Sequence, residues 1–203
     1  MKLQAQTLAC ERGGRQLFQG LEFTLTGGEA MLVTGRNGAG KTSLLRIICG
    51  FIEPTCGRIR LHDRPEACSI GQLCHYVAHE DAIKSALTVR ENITFWARFF
   101  GAGDVEAGLA AFGLGPLAAC NAGLLSCGQK RKLTLSRLKL VNRAIWLLDE
   151  PATGLDATAQ HRLCRHMTHH LAAGGIVIAA SHTQLDAPFT VTLNINDLSA
   201  GMT

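Results

Sequence analysis

Residues 35–42 read GRNGAGKT, and this octapeptide constrains the chain more than any other stretch. It matches G-x-x-x-x-G-K-[ST] and stands between two segments of different character. EAMLVTG (29–35) is a short apolar run ending in glycine, the pattern of a buried strand, and KTSLLRIICGF (41–51) has the apolar spacing of a helix. Glycines let a strand-to-helix turn curl so that its backbone N–H groups converge, and the helix N-terminus adds partial positive charge. Such a loop binds phosphate. Gly35, Arg36, Asn37, Gly38, Ala39, Gly40, Lys41 and Thr42 are therefore the candidate nucleotide-binding residues, with Lys41 bridging the β- and γ-phosphates of ATP and the Thr42 hydroxyl a ligand of Mg2+.

Two more apolar runs, AIWLLDE (144–150) and GIVIAASH (175–182), read as strands ending in polar residues. Alternation of such runs with helix-like stretches predicts an α/β fold with a largely buried sheet. From about 75 to 140 the strand character fades and Leu/Ala-rich segments dominate, which predicts a small helical subdomain. With 203 residues, 47% of them hydrophobic, the chain is expected to form one domain over 1–203, and no repeat or low-complexity tract breaks it.

The last strands carry the rest of the chemistry. Asp149 ends a buried run, where it can join Thr42 as a metal ligand, and Glu150 beside it is placed to act on an attacking water. The same two carboxylates could instead cap the following helix, aided by Pro151. PATGLD places Asp156 in a turn, and AASHT places His182 after the last strong strand. Taken alone, a histidine is more often structural than catalytic.

A pentapeptide, LSCGQ (125–129), completes the series. The order of glycine-rich loop, LSxGQ, apolar-DE, GLD and strand-His resembles that of the ATP-binding cassette family from end to end, which implies a P-loop NTPase fold, the ABC nucleotide-binding domain. The resemblance implies that Ser126, Gly128 and Gln129 touch the γ-phosphate of ATP held by the other protomer of a head-to-tail homodimer. It further implies that Asp156 couples the two sites, that Glu150 polarises the attacking water, and that His182 orients the γ-phosphate. LACERGGRQLFQGLEFTL, ITF after LTVREN, and a small non-glycine residue, Cys127, at the centre of LSCGQ resemble the haem-exporter ATPase subunits, the cytochrome c biogenesis ATP-binding export proteins. That subfamily implies an ATPase powering haem export, or release of a haem-loaded carrier, together with an integral membrane permease subunit and other cytochrome c maturation subunits. Alternatives are the ATPase of another exporter, a soluble cassette acting on DNA or the ribosome, and a regulatory module that binds nucleotide without hydrolysis. Two positions depart from the broader family. His79, followed by Glu80, stands where a coupling glutamine is usual, and Arg12 stands where an aromatic often stacks on adenine.

No apolar run approaches the 18 to 20 or so residues that span a bilayer, and Glu11, Arg12 and Arg15 interrupt any signal-peptide core. A peripheral protein on the cytoplasmic face of the inner membrane is expected. The net charge of +4 is too small and too dispersed to require nucleic acid. Eight cysteines without a Cys-x-x-Cys pair read as reduced, mostly buried thiols. His166, His169 and His170 share a helix face by spacing and read as a polar surface. Cys74 and His75 fall on opposite faces of a strand, which argues against haem ligation there. QKRKLTLSRLK (129–139) reads as the solvated face of the helix after LSCGQ.

Overall fold

The computed structural model describes residues 1–63, 68–101, 103–182 and 185–198; Ala102 of the expected helical region and Thr183 of AASHT lie outside the described residues. In chain order come β1 (Lys2–Arg12), β2 (Arg15–Thr26), β3 (Ala30–Thr34), α1 (Lys41–Cys49), β4 (Cys56–His62) and β5 (Cys74–Val77). Then follow α2 (Val89–Phe99), α3 (Val105–Ala111), α4 (Cys127–Ser136), β6 (Ile145–Asp149), α5 (Ala157–Ala172), β7 (Ile176–Ala180) and β8 (Val191–Asn194). Short 3-10 turns join several of them.

The central sheet has the order β5-β6-β7-β3-β8, and every neighbouring pair in it is parallel. Its inner strands are apolar throughout because both faces are covered. Side chains alternate across the sheet: Ile145, Leu147, Ile176, Ile178, Met31 and Val33 join one core cluster, while Trp146, Leu148, Val177, Ala179 and Ala30 join the other. The first cluster also takes Leu44, Leu45, Ile47 and Ile48 of α1 and the inner face of an antiparallel sheet of order β2-β1-β4. The second takes residues of α2, α3, α4 and α5. Full burial of one such aliphatic side chain stabilises by about 1.5–3 kcal/mol. The rank of fully buried residues in both clusters therefore fixes the sheet's register.

The expected strands at 29–35, 144–150 and 175–182 are β3, β6 and β7. The helical region begins later than expected, since residues 74–77 pair with β6 and the first α-helix starts at Val89. The antiparallel sheet was not legible. In β1 the register shifts between Ala5 and Leu8, between Leu8 and Cys10, and again before Glu11, and Thr7 takes a φ of 46°. These irregularities break the two-residue period on which a strand reading depends.

Because β3, β6 and β7 are parallel neighbours, their carboxyl ends lie along one edge. Val33 of β3 and Asp149 of β6 both stand opposite Ala180 of β7. The segments leaving that edge are the ones that carry Gly35–Thr42, Glu150 and His182.

Candidate active site

The loop after β3 uses its glycines as the sequence demands. Gly38 and Gly40 have φ of 79° and 109°, in the region that L side chains avoid, and a Cβ on Gly40 would come within 3.1 Å of both Leu17 and Phe18. Lys41 is almost buried. Its Nζ donates to the carbonyls of Gly35 at 2.7 Å and Arg36 at 3.3 Å, so the ammonium is held within the curl of the loop. Asn196, just after β8, accepts from the Arg36 N–H at 3.2 Å and pins the loop's first turn. Nothing in the sequence singles out Asn196. Beside the loop lies a hollow of about 230 Å³ lined by Arg15, Gln16, Leu17, Asn196 and the loop itself.

Thr42 and Asp149 meet directly, Thr42 Oγ1 donating to Asp149 Oδ2 at 2.7 Å. Burial pushes the Asp149 carboxyl above its usual range, against the pull of the Thr42 hydroxyl, and the neighbouring Glu150 adds to the rise. A hydroxyl and a carboxylate side by side form a hard oxygen pair that fits Mg2+. Glu150 emerges from the strand end with a φ of 48°. Its Oε2 accepts from His182 Nδ1 at 2.8 Å and also faces the His182 N–H at 3.4 Å. The Glu150 side chain is 11% exposed and that of His182 63%. The alternative reading of the two carboxylates as helix caps does not hold, since the cap of α5 is Asp156, whose Oδ1 accepts from the Ala159 N–H at 2.8 Å.

LSCGQ lies at the start of α4. Ser126 and Gln129 form a reciprocal capping box: Gln129 N–H donates to Ser126 Oγ at 3.3 Å, and Ser126 N–H donates to Gln129 Oε1 at 2.9 Å. A Cβ on Gly128 would fall 2.6 Å from the Gly154 carbonyl oxygen, so this glycine allows the two backbones to touch. Cys127 is exposed. Asp156 Oδ2 pairs with Lys132 Nζ at 2.6 Å, and that lysine, with the Ala159 N–H, holds the Asp156 carboxyl below its usual range.

The family model described as ABC transporter matches residues 18–153. The chain belongs to the ABC transporter family. Relatives named cytochrome c biogenesis ATP-binding export protein CcmA cover most of this cassette. That of a Rhodopseudomonas palustris strain is 48% identical over 91% of this chain and 94% of its own length, and that of Bradyrhizobium diazoefficiens is 47% identical over the same shares. The Brucella melitensis protein is 40% identical over 98% of this chain and 93% of its own. The fold matches a putative ABC transporter ATP-binding protein from Pyrococcus furiosus with a TM-score of 0.83 at 24% identity, covering 98% of this cassette and 99% of that chain.

Elsewhere the cassette departs from the expectations. The basic run 129–139 is not simply a solvated face: Arg131 and Arg137 are buried, the latter packed over the Trp96 ring at 4.5 Å. Burial lowers the Arg137 pKa to about 10. Of the three α5 histidines read as a polar surface, only His169 is exposed. His170 is buried and stacks on Trp146 with ring centroids 4.2 Å apart, and His166 is half-buried against the Ala111 carbonyl. Only three of the eight cysteines, Cys10, Cys49 and Cys74, are buried. Arg12 pairs across the β1–β2 turn with Arg15 and is exposed, and Arg15 rather than Arg12 lines the hollow beside the loop.

Proposed function

We propose that this chain is the ATP-hydrolysing subunit of a cytochrome c biogenesis exporter, acting as a nucleotide-closed homodimer beneath an integral membrane permease. The observation that carries the enzymatic part is the meeting of Thr42 with Asp149 and of Glu150 with His182 along one sheet edge. The biogenesis part rests on relatives that bear that name at 40–48% identity over nearly the whole chain.

ATP binds on the loop 35–42, where Lys41 exchanges its two loop carbonyls for β- and γ-phosphate oxygens at little cost, being already desolvated and aimed. Thr42 and Asp149 hold Mg2+, which when bound supplies charge neutralisation at the phosphates. Glu150, largely buried and hydrogen-bonded by His182, takes the proton of the attacking water. His182 Nδ1–H steadies that carboxylate in the reactive orientation. Ser126, Gly128 and Gln129 present the N-terminus of α4 to the nucleotide of the second protomer, and the capping box keeps that terminus formed. Asp156, tied to Lys132 of α4, carries the state of one site to the other.

The permease docks a cytoplasmic helix in an aromatic groove of about 580 Å³ between the sheet and the helical region. Phe51 and Phe99, 63% and 68% exposed, stand on its rim, and Tyr76, Trp96 and Phe100 line it beside Glu80. Cargo is haem or a haem-loaded carrier, which the cassette itself need not touch.

Glu150→Gln tests the enzymatic reading, because the amide keeps the shape and loses the base. Turnover should be abolished and ATP binding kept, with a dimer trapped on size-exclusion chromatography in MgATP. Wild-type turnover would remove Glu150 from the mechanism. Purification from membranes tests the assignment to cytochrome c biogenesis: the integral subunit that co-isolates should be one whose loss abolishes haem-stained c-type cytochromes.

A further inference from the structure

Arg131, two residues beyond LSCGQ, is 3% exposed, and a single salt bridge, to Asp81, accounts for only one of its contacts. Its guanidinium is spent almost entirely on backbone. Nη2 donates to the carbonyls of Asp149 at 2.7 Å and Glu150 at 2.9 Å, and Nε donates to that of Pro151 at 3.3 Å. Nη1 donates to the Ala78 carbonyl at 2.8 Å and to Asp81 Oδ1 at 3.2 Å, with the His79 carbonyl at 3.5 Å. Three consecutive carbonyls converge on one side of the fork, and the 78–81 segment occupies the other.

The convergence has a reason in the backbone. Glu150 is a non-glycine residue in the left-handed region, a costly conformation that persists only when its surroundings enforce it. A planar cation with five fixed donors can hold three successive carbonyls in that turn, whereas an ammonium offers three donors from a single point. The other side of the fork reaches the segment after β5, whose Ala78 and Glu80 line the aromatic groove.

We propose that Arg131 is a positioning residue: it holds the strained Asp149–Glu150–Pro151 turn that aims Glu150, and it ties that turn to the 78–81 segment, so that the groove and the hydrolytic carboxylate share one guanidinium. The inference rests on the reading of Glu150 as the hydrolytic base. It makes α4 a three-way connector between the signature LSCGQ, the strand end of β6 and the groove.

Two variants of the full chain separate the two sides of the fork. Arg131→Lys keeps the charge and removes the fork. Its KM and its affinity for a non-hydrolysable ATP analogue should stay within about threefold of wild type, while kcat falls about 30-fold or more, the signature of an interaction that serves the transition state. Asp81→Ala removes the side-chain part of the tie to the 78–81 segment and leaves the Ala78 carbonyl bond and the three carbonyls of the turn held, so kcat should stay within about twofold. In the wild type, hydrogen exchange of the 79–81 amides should slow when nucleotide binds; the slowing should be weakened in Asp81→Ala and lost in Arg131→Lys. A kcat of Arg131→Lys within about threefold of wild type would overturn the proposal, as would wild-type slowing in Arg131→Lys. If Arg131→Lys does not fold, Asp81→Ala decides: slowing undiminished from wild type would overturn the tie between the turn and the 78–81 segment. A wild-type chain that binds ATP but hydrolyses none, even with its membrane subunit, strikes the function proposed above instead.

Discussion

Cys127 and Gly128 are adjacent at the start of α4, yet their surroundings impose opposite tolerances. The Cys127 side chain faces solvent at the first helical position, and the capping box around it uses only Ser126 and Gln129. Cys127→Ala should therefore keep most ATPase activity and the wild-type melting temperature. In the proposed head-to-tail dimer α4 meets the second protomer's phosphate, so Cys127→Arg should abolish turnover there without weakening nucleotide binding to the same chain. Gly128→Ala places a methyl carbon 2.6 Å from a backbone oxygen, which no rotamer change can relieve. Overpacking of this kind costs about 1–3 kcal/mol, so Gly128→Ala should lower the melting temperature as well as activity. Thermal melts and turnover of the three variants, measured together, check both claims. Equal stability of Cys127→Ala and Gly128→Ala would mean that the Gly128–Gly154 contact relaxes freely.

Strand β5 falls at the start of the stretch expected to be helical, yet the face assignment of Cys74 and His75 holds there. Alternation puts Cys74 and His75 on opposite faces, and in the structure Cys74 joins the α1 side while His75 packs edge-on against Phe100 and hydrogen-bonds the Val141 carbonyl at 2.9 Å. Burial, offset in part by that hydrogen bond, lowers the His75 pKa to about 4. A histidine depressed in the folded state is protonated first in the unfolded chain, so stability is full above the unfolded pKa near 6.5 and falls as the pH drops toward 4. His166 and His170, also lowered by burial, act in the same direction. The His75 contribution at pH 4 is on the order of 3 kcal/mol. Urea unfolding at pH 7 and pH 4.5 should show this loss in the wild type and a smaller one in His75→Leu; equal losses would place the acid sensitivity elsewhere. The inner strands β3, β6 and β7 were legible because burial on both faces writes a continuous apolar run. Arg131 was not, since in sequence it is one cation among five between 129 and 139, and only the tertiary turn at Glu150 explains its burial. His170 of α5 was misjudged for the same reason: its spacing with His166 and His169 defines a face, but stacking on Trp146 takes His170 inside while His169 stays exposed.

At the scale of the whole molecule, no helix among the described residues is long and apolar enough to cross a membrane. Attachment through the groove alone predicts that carbonate or high salt strips the chain from membranes, whereas mild detergent releases it with the integral subunit still bound. Immunoblots of the pellet and supernatant are the check, and resistance to carbonate would contradict a peripheral attachment. The order of the central sheet has a consequence for synthesis. β3, which carries the phosphate loop, sits between β7 and β8, and the loop's first turn is fastened by Asn196, 160 residues further along the chain. Contacts so distant in sequence form late. A nascent chain on the ribosome therefore displays its glycine loop long before the loop has neighbours, and a transcript broken anywhere before β7 yields no working half-enzyme to bind ATP or occupy a permease unproductively.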